Sequence, residues 1–83
     1  MKTPRDLGGE ELAQLLKQYG YQPTRQTGSH IRLITTREGQ HHLTIPKHEA
    51  LKIGTLSSIL NDVANHLKLD KEALIKELFG GGK

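Results

Sequence analysis

The densest chemistry in this chain lies in Arg25-Gln26-Thr27-Gly28-Ser29-His30. An imidazole, with an ordinary pKa near ~6.5, takes or gives a proton at neutral pH, so His30 is the candidate general acid or base. Gly28 lets a ligand approach the backbone closely, and Ser29 adds a small donor and acceptor. Arg25, and Arg32 just beyond, supply guanidinium donors of the kind that hold phosphate. The plainer reading of the same residues is a turn followed by a solvent-facing histidine, and local chemistry leaves both open.

Other chemistries fall away. No glycine run closes on Lys-Ser or Lys-Thr, so a phosphate-binding loop is not expected. His48-Glu49-Ala50-Leu51-Lys52 begins like a zinc-protease helix but carries Lys52 where the second histidine belongs. His41 and His42, adjacent on a strand, point to opposite faces and do not share a metal easily. A site built from His42, His48 and a carboxylate stays geometrically open, but neither a metal nor any other cofactor is expected. A nucleophile–base pair of Ser29 with His30 is not expected either, because neighbouring side chains diverge along an extended strand. Stacking of bases on strand aromatics needs rings, and Tyr19, Tyr21 and Phe79 are the only ones.

The chain has 83 residues and no cysteine. Disulfides, thiolate zinc sites, iron–sulfur clusters and a cysteine nucleophile are thereby excluded, and a reducing cytoplasm fits. A chain of this size buries only about 60–65% of the surface its unfolded form exposes, so one small domain over residues 1–83 is expected. The longest apolar run is Ala73-Leu74-Ile75, from which neither a membrane span nor a signal peptide is expected. Twelve Lys and Arg oppose nine Asp and Glu, for a net charge of +3. The excess is concentrated: Arg25, Arg32, Arg37, Lys47 and Lys52 face only Glu38 and Glu49 between residues 25 and 52. His30, His41, His42 and His48 lie in the same stretch. Such a surface favours a polyanion, nucleic acid being the usual one, against ordinary solvated charge.

The elements that must position these residues follow from periodicity. Leu12, Leu15, Leu16 and Tyr19 make one helical stripe, Glu10 and Glu11 suit the positive end of the helix, and Gly20 suits its C-terminal cap. The spacing predicts a helix over Gly9 to Tyr19. Beyond it the period is two: a short strand from Tyr21 to Arg25, with Pro23 suited to an edge, then Ile31 and Leu33 alternating with His30 and Arg32. After an Arg37-Glu38-Gly39-Gln40 turn, with Gly39 at positive φ, Leu43 and Ile45 alternate with His42 and Thr44. Pro46 ends that strand. Leu56, Ile59, Leu60, Val63 and Leu67 predict a second helix opening near Gly54-Thr55. Asp70 caps a third from Lys71 to Leu78, with Leu74, Ile75 and Leu78 inward. Residues 1–6 read as a loose arm and Gly80 to Lys83 as a frayed tail.

The expected class is α+β: a two-layer α-β-β-β-α arrangement with an added C-terminal helix. The main helices cover the aliphatic face of a three-stranded antiparallel sheet. Its other face stays wet and gathers His30, Arg32, His42 and Thr44, which at a strand spacing of ~4.8 Å could address a single phosphate.

Gly20-Tyr21, the Arg25 to His30 segment, Thr44-Ile45-Pro46-Lys47-His48 and Gly54-Thr55-Leu56-Ser57-Ser58-Ile59-Leu60 follow one another in this order. Together they closely resemble the HicA (YcfA-like) family, the toxin half of HicA–HicB toxin–antitoxin systems, from about Gly9 to Val63. The resemblance implies a small α-β-β-β-α fold similar to double-stranded RNA-binding domains. It also implies a ribosome-independent mRNA interferase, silenced by a HicB antitoxin. The family's catalytic histidine falls on His30, and Gly28 and Ser29 match the substrate-contacting positions before it. Pro46 and His48 match the family's Pro-x-His segment, with no catalytic role carried onto His48. The departure is Asn65 to Phe79, a longer helical segment that leaves open a surface for the antitoxin or for a second copy of the chain.

The mechanism expected from these residues is metal-independent RNA cleavage through the substrate's 2′-hydroxyl. Neutral His30 removes the proton, and Arg32, Arg25 and the Gly28–Ser29 amides meet the growing phosphoryl charge. The acid for the 5′-oxygen is open between His42 and water. The rivals are a non-catalytic RNA-binding module on the same face and a pure protein-interaction partner for an acidic antitoxin.

Overall fold

A computed structural model describes residues 7–80; the arm and the last three residues of the tail read from the sequence lie outside the described residues. The order is α1 (Gly9–Leu16), a 3-10 turn (Lys17–Tyr19), β1 (Gln22–Gln26), β2 (His30–Thr35), β3 (His41–Pro46), α2 (Ile53–Leu67), α3 (Lys71–Ile75) and a wider π-helical turn (Lys76–Gly80). The three strands form one antiparallel sheet in the order β1-β2-β3, and the class is α+β as the periodicity implies. No described helix is long and apolar enough to cross a membrane.

Alternation in β2 and β3 decides which face is covered. Ile31 pairs with Ile45 and Leu33 with Leu43, and all four side chains are buried. Against them pack Leu12 and Leu16 of α1 and Leu56, Ile59, Leu60 and Val63 of α2, each at helical spacing and each buried. Leu15 is only half-buried, at the border of its stripe.

Close backbone approaches join the layers. The Gly9 amide donates to the His48 carbonyl at 2.9 Å, and the Leu51 amide donates to the Leu7 carbonyl at 2.7 Å. A Cβ on Gly9 would lie 2.0 Å from the Pro46 carbonyl oxygen, so only glycine lets α1 start against the end of β3. Glu11 accepts from the Gly8 amide at 2.8 Å, closing the first turn. The Gly20 cap takes φ 86° and turns the chain into Tyr21, whose ring is fully buried.

The hairpin between β2 and β3 carries positive φ at Gly39, as expected, and also at Glu38, where φ is 58°. His66 near the end of α2 holds this turn: its Nε2 lies 2.9 Å from the carbonyl oxygens of both Arg37 and Gly39. Carbonyls only accept, so this nitrogen carries the proton.

The C-terminal extension completes the core. Asp70 accepts from the Ala73 amide at 3.2 Å and starts α3, after which Leu74 and Leu78 are buried while Ile75 stays half-exposed. Tyr19 donates its hydroxyl proton to the Glu77 carboxylate, and the Arg37 guanidinium sits 5.7 Å above the Tyr19 ring. Burial, then the Glu77 hydrogen bond and charge, push the Tyr19 phenol well above its usual range, with Arg37 opposing. The helix predicted through Leu78 instead widens after Ile75, and the wider turn carries Glu77 to Tyr19.

Candidate functional site

The uncovered face of the sheet is read from its register. Its exposed side presents Arg25 from β1, His30 and Arg32 from β2, and His42 and Thr44 from β3. Arg32 stands between Arg25 on one side and Thr44 on the other, while His30 opens β2 opposite Pro46. β1 is an edge strand, so Pro23 withholds no amide that the sheet needs; a register shift between Pro23 and Arg25 leaves Thr24 outside the pairing. The shift brings Arg25 onto the same face as Arg32.

The basic stretch divides in space. Arg25 and Arg32 lie on the open face without a carboxylate partner among the described residues. Arg37 packs on Tyr19, and Lys47 pairs with Glu10 at 3.4 Å, an exposed contact worth about 0–1 kcal/mol. Lys52 precedes α2. The histidines divide likewise: His30 and His42 face out, His41 faces the core side, and the His48 carbonyl anchors α1.

His30, Arg25, Arg32, Thr27 and Thr44 line one shallow depression of about 260 Å3. His42 is not part of it. It stands opposite Ile34, four positions along the strand from His30, which is about 13 Å at ~3.3 Å per residue. It shares a neighbouring depression with Thr24, Arg25 and Arg32. The expectation that His30, Arg32, His42 and Thr44 address one phosphate is therefore corrected, and His42 is too distant to serve as the acid partner of His30.

The segment before β2 brings a second correction. Ser29 Oγ lies 3.0 Å from His30 Nδ1, a contact the sequence reading rejected. Side chains of neighbours diverge in an extended strand, but residues 28–29 bend, and a bend turns neighbouring side chains to one side. The Thr27 amide donates to the His30 carbonyl at 3.0 Å and the Lys47 amide to the Ser29 carbonyl at 2.8 Å, which secure the bend. With Nδ1 engaged, Nε2 of the exposed His30 ring has no partner among the described residues. A Cβ on Gly28 would meet nothing within 4 Å among the described residues, so their packing does not require glycine there.

Sequence reasoning gave no role to the polar side of α2. His30, Thr44 and Pro46 form the floor of a larger cleft, about 490 Å3, whose wall includes Thr55, Ser58 and Asp62. Their i, i+3, i+7 spacing was the available signal, but only the fold shows that this stripe borders the sheet. Behind the hairpin, Tyr21, His41 and His66 form a further group. The Tyr21 hydroxyl is 2.8 Å from His41 Nδ1, and the His41 and His66 rings stack with centroids 4.3 Å apart. Burial, then the Asp62 charge, push the Tyr21 phenol up to about 12, so the hydroxyl meets His41 Nδ1 as an un-ionised phenol. Burial first, then His66, lower the pKa of His41; Asp62 opposes and His42 adds to the lowering.

Comparison with curated proteins and with solved structures gives no significant match. A family model does match: residues 9–64 fit the HicA toxin of bacterial toxin–antitoxin systems. The matched span runs from the glycine that seats α1 through the strand face and its flanking helix, so the family's shared sequence is the part of the chain that builds the open face. Taken with the α-β-β-β-α order, this match means that the chain belongs to the HicA toxin family and is the toxin of a toxin–antitoxin pair, with an antitoxin as its partner.

Proposed function

We propose that this toxin is a metal-independent endoribonuclease in which His30 activates the substrate's own 2′-hydroxyl. One observation carries the reading: an exposed imidazole with Nε2 free shares an uncovered face with two guanidiniums that have no carboxylate partner among the described residues. Nε2 of neutral His30 takes the 2′-hydroxyl proton, and the oxygen bonds to the adjacent phosphorus. The bond to the 5′-oxygen then breaks, leaving a 2′,3′-cyclic phosphate and, once water has protonated the leaving oxygen, a 5′-hydroxyl. A positioned base contributes about 10²–10⁴-fold, or roughly 3–5 kcal/mol. Arg25, Arg32 and the Gly28 and Ser29 amides supply donors to the phosphoryl oxygens as charge grows there. His42 binds a neighbouring part of the substrate. The substrate is mRNA in the cytoplasm, and a HicB-type antitoxin blocks cleavage by covering this face.

The test is a defined single-stranded RNA and its DNA counterpart, with and without excess chelator, against wild type and His30→Ala. RNA is cut, DNA survives, chelator has no effect, and His30→Ala is slower by at least about 100-fold. Undiminished cleavage by His30→Ala overturns the role of His30. Intact RNA with salt-sensitive binding indicates a non-catalytic RNA-binding module, and loss of cutting in chelator indicates a metal-dependent reaction.

A further inference from the structure

The two sides of His30 differ in charge. Toward β1 lie Arg25 and Arg32, with no carboxylate lining the depression among the described residues. Toward α2 lies a cleft whose polar lining, besides His30, is three hydroxyls and one carboxylate, with no lysine or arginine among the described residues. A phosphate is drawn to the first and repelled from the second by Asp62. A nucleotide seated over His30 therefore turns its phosphate toward β1 and its base toward α2. The cleft volume, about 490 Å3, falls within the ~300–1,000 Å3 common for small-ligand sites.

Resting on the nuclease reading of the same face, we propose that this cleft is a nucleobase subsite in which Asp62 selects a base bearing an exocyclic amino group. Asp62 is exposed and has no hydrogen-bond or ion-pair partner among the described residues, so its acceptor capacity is unspent. Its charge reaches the Tyr21 hydroxyl and the His41 ring, without a hydrogen bond to either. An ionised carboxylate only accepts, whereas the hydroxyls of Thr44, Thr55 and Ser58 donate or accept. The edge that matches this set projects an N–H donor clear of the ring beside an acceptor. Cytosine, adenine and guanine each offer one through an amino group. Uracil's only base-edge donor, N3–H, is recessed between two carbonyl oxygens, so a carboxylate reaching for it meets an acceptor on either side. The rim is open as well: a Cβ on Gly54 would meet nothing within 4 Å among the described residues, so no packing demand there explains the missing side chain.

The experiment measures equilibrium binding of short oligocytidylate and oligouridylate of equal length at low salt. It uses His30→Ala protein, so that the RNA stays intact, with and without Asp62→Asn. Oligocytidylate binds about tenfold more tightly than oligouridylate, a typical margin for one matched base edge. Asp62→Asn brings the two within about twofold of each other, because an amide donates to the uracil carbonyl as readily as it accepts from an amino group. Asp62→Ser is carried in parallel, with circular dichroism on every variant, so that a misfolded protein is not mistaken for a loss of selectivity. Equal affinity for the two oligomers, or a preference that persists without the carboxylate, overturns the subsite and leaves the nuclease reading standing. Failure to bind either oligomer overturns both.

Discussion

Arg25 on β1 stands directly opposite Arg32 on β2. Like charges facing each other across a strand pair are destabilising, and neither guanidinium has a carboxylate to offset the other among the described residues. A sheet optimised for stability alone would not hold them there, whereas a phosphate between them relieves the repulsion. Arg25→Thr, which keeps a good strand former on the edge, therefore raises stability by a few tenths of a kcal/mol, about 0.2–1. The same change weakens RNA binding and lowers the salt slope by about one unit. Thermal unfolding and a salt titration of binding check the pair of effects. A variant that is both less stable and unchanged in binding contradicts the assignment.

Ser29 is a positioning residue on this geometry, acting through its hydrogen bond to His30 Nδ1. Ser29→Ala lets the ring rotate and lowers kcat by about tenfold, well short of the His30→Ala loss, with KM little changed. Single-turnover cleavage beside a binding titration separates the alternatives. A raised KM at constant kcat means that the hydroxyl touches substrate instead of the ring.

Gly9 gives a purely structural test. Alanine there sets a Cβ against the Pro46 carbonyl, so α1 must shift off the end of β3 or the loop after β3 must move. Gly9→Ala costs at least about 2 kcal/mol, in the range of core overpacking. Gly28→Ala, whose Cβ meets nothing among the described residues, leaves the urea midpoint close to wild type. Equal midpoints for the two variants would show that the close approach carries no energy.

His41 couples stability to pH. Its pKa is lowered in the fold, chiefly by burial and then by His66, so the native state favours the neutral ring and the unfolded chain binds a proton more readily. Its contribution is fully present above the unfolded value of ~6.5 and is lost as pH falls below it toward the lowered native value. The melting temperature falls between pH 7.5 and pH 5, and the fall is smaller in His41→Gln. Identical pH profiles for the two proteins would locate the titration elsewhere.

Much of the architecture was legible because periodicity is local physics. Alternation at Ile31, Leu33, Leu43 and Ile45 fixes which side chains share a face, and helical spacing does the same for Leu12, Leu16, Leu56, Ile59, Leu60 and Val63. The caps at Gly20 and Asp70 were readable for the same reason. The extra positive φ at Glu38 was not, because it is held by His66, distant in sequence.

What the chain determined by itself was therefore the order of elements, the two faces of the sheet, and the presence of His30 and Arg32 on the wet one. Tertiary structure decided which of those wet residues meet. The strand register, which turn geometry and packing set together, places His42 beside Ile34 and away from His30. The bend at residues 28–29 turns Ser29 onto His30, against the divergence that extended chain would impose. Only the packing of α2 along β3 brings Asp62 to the same cleft as His30. Local pattern says which way a side chain points. Its neighbours from distant segments follow from how close-packed layers come to rest against one another.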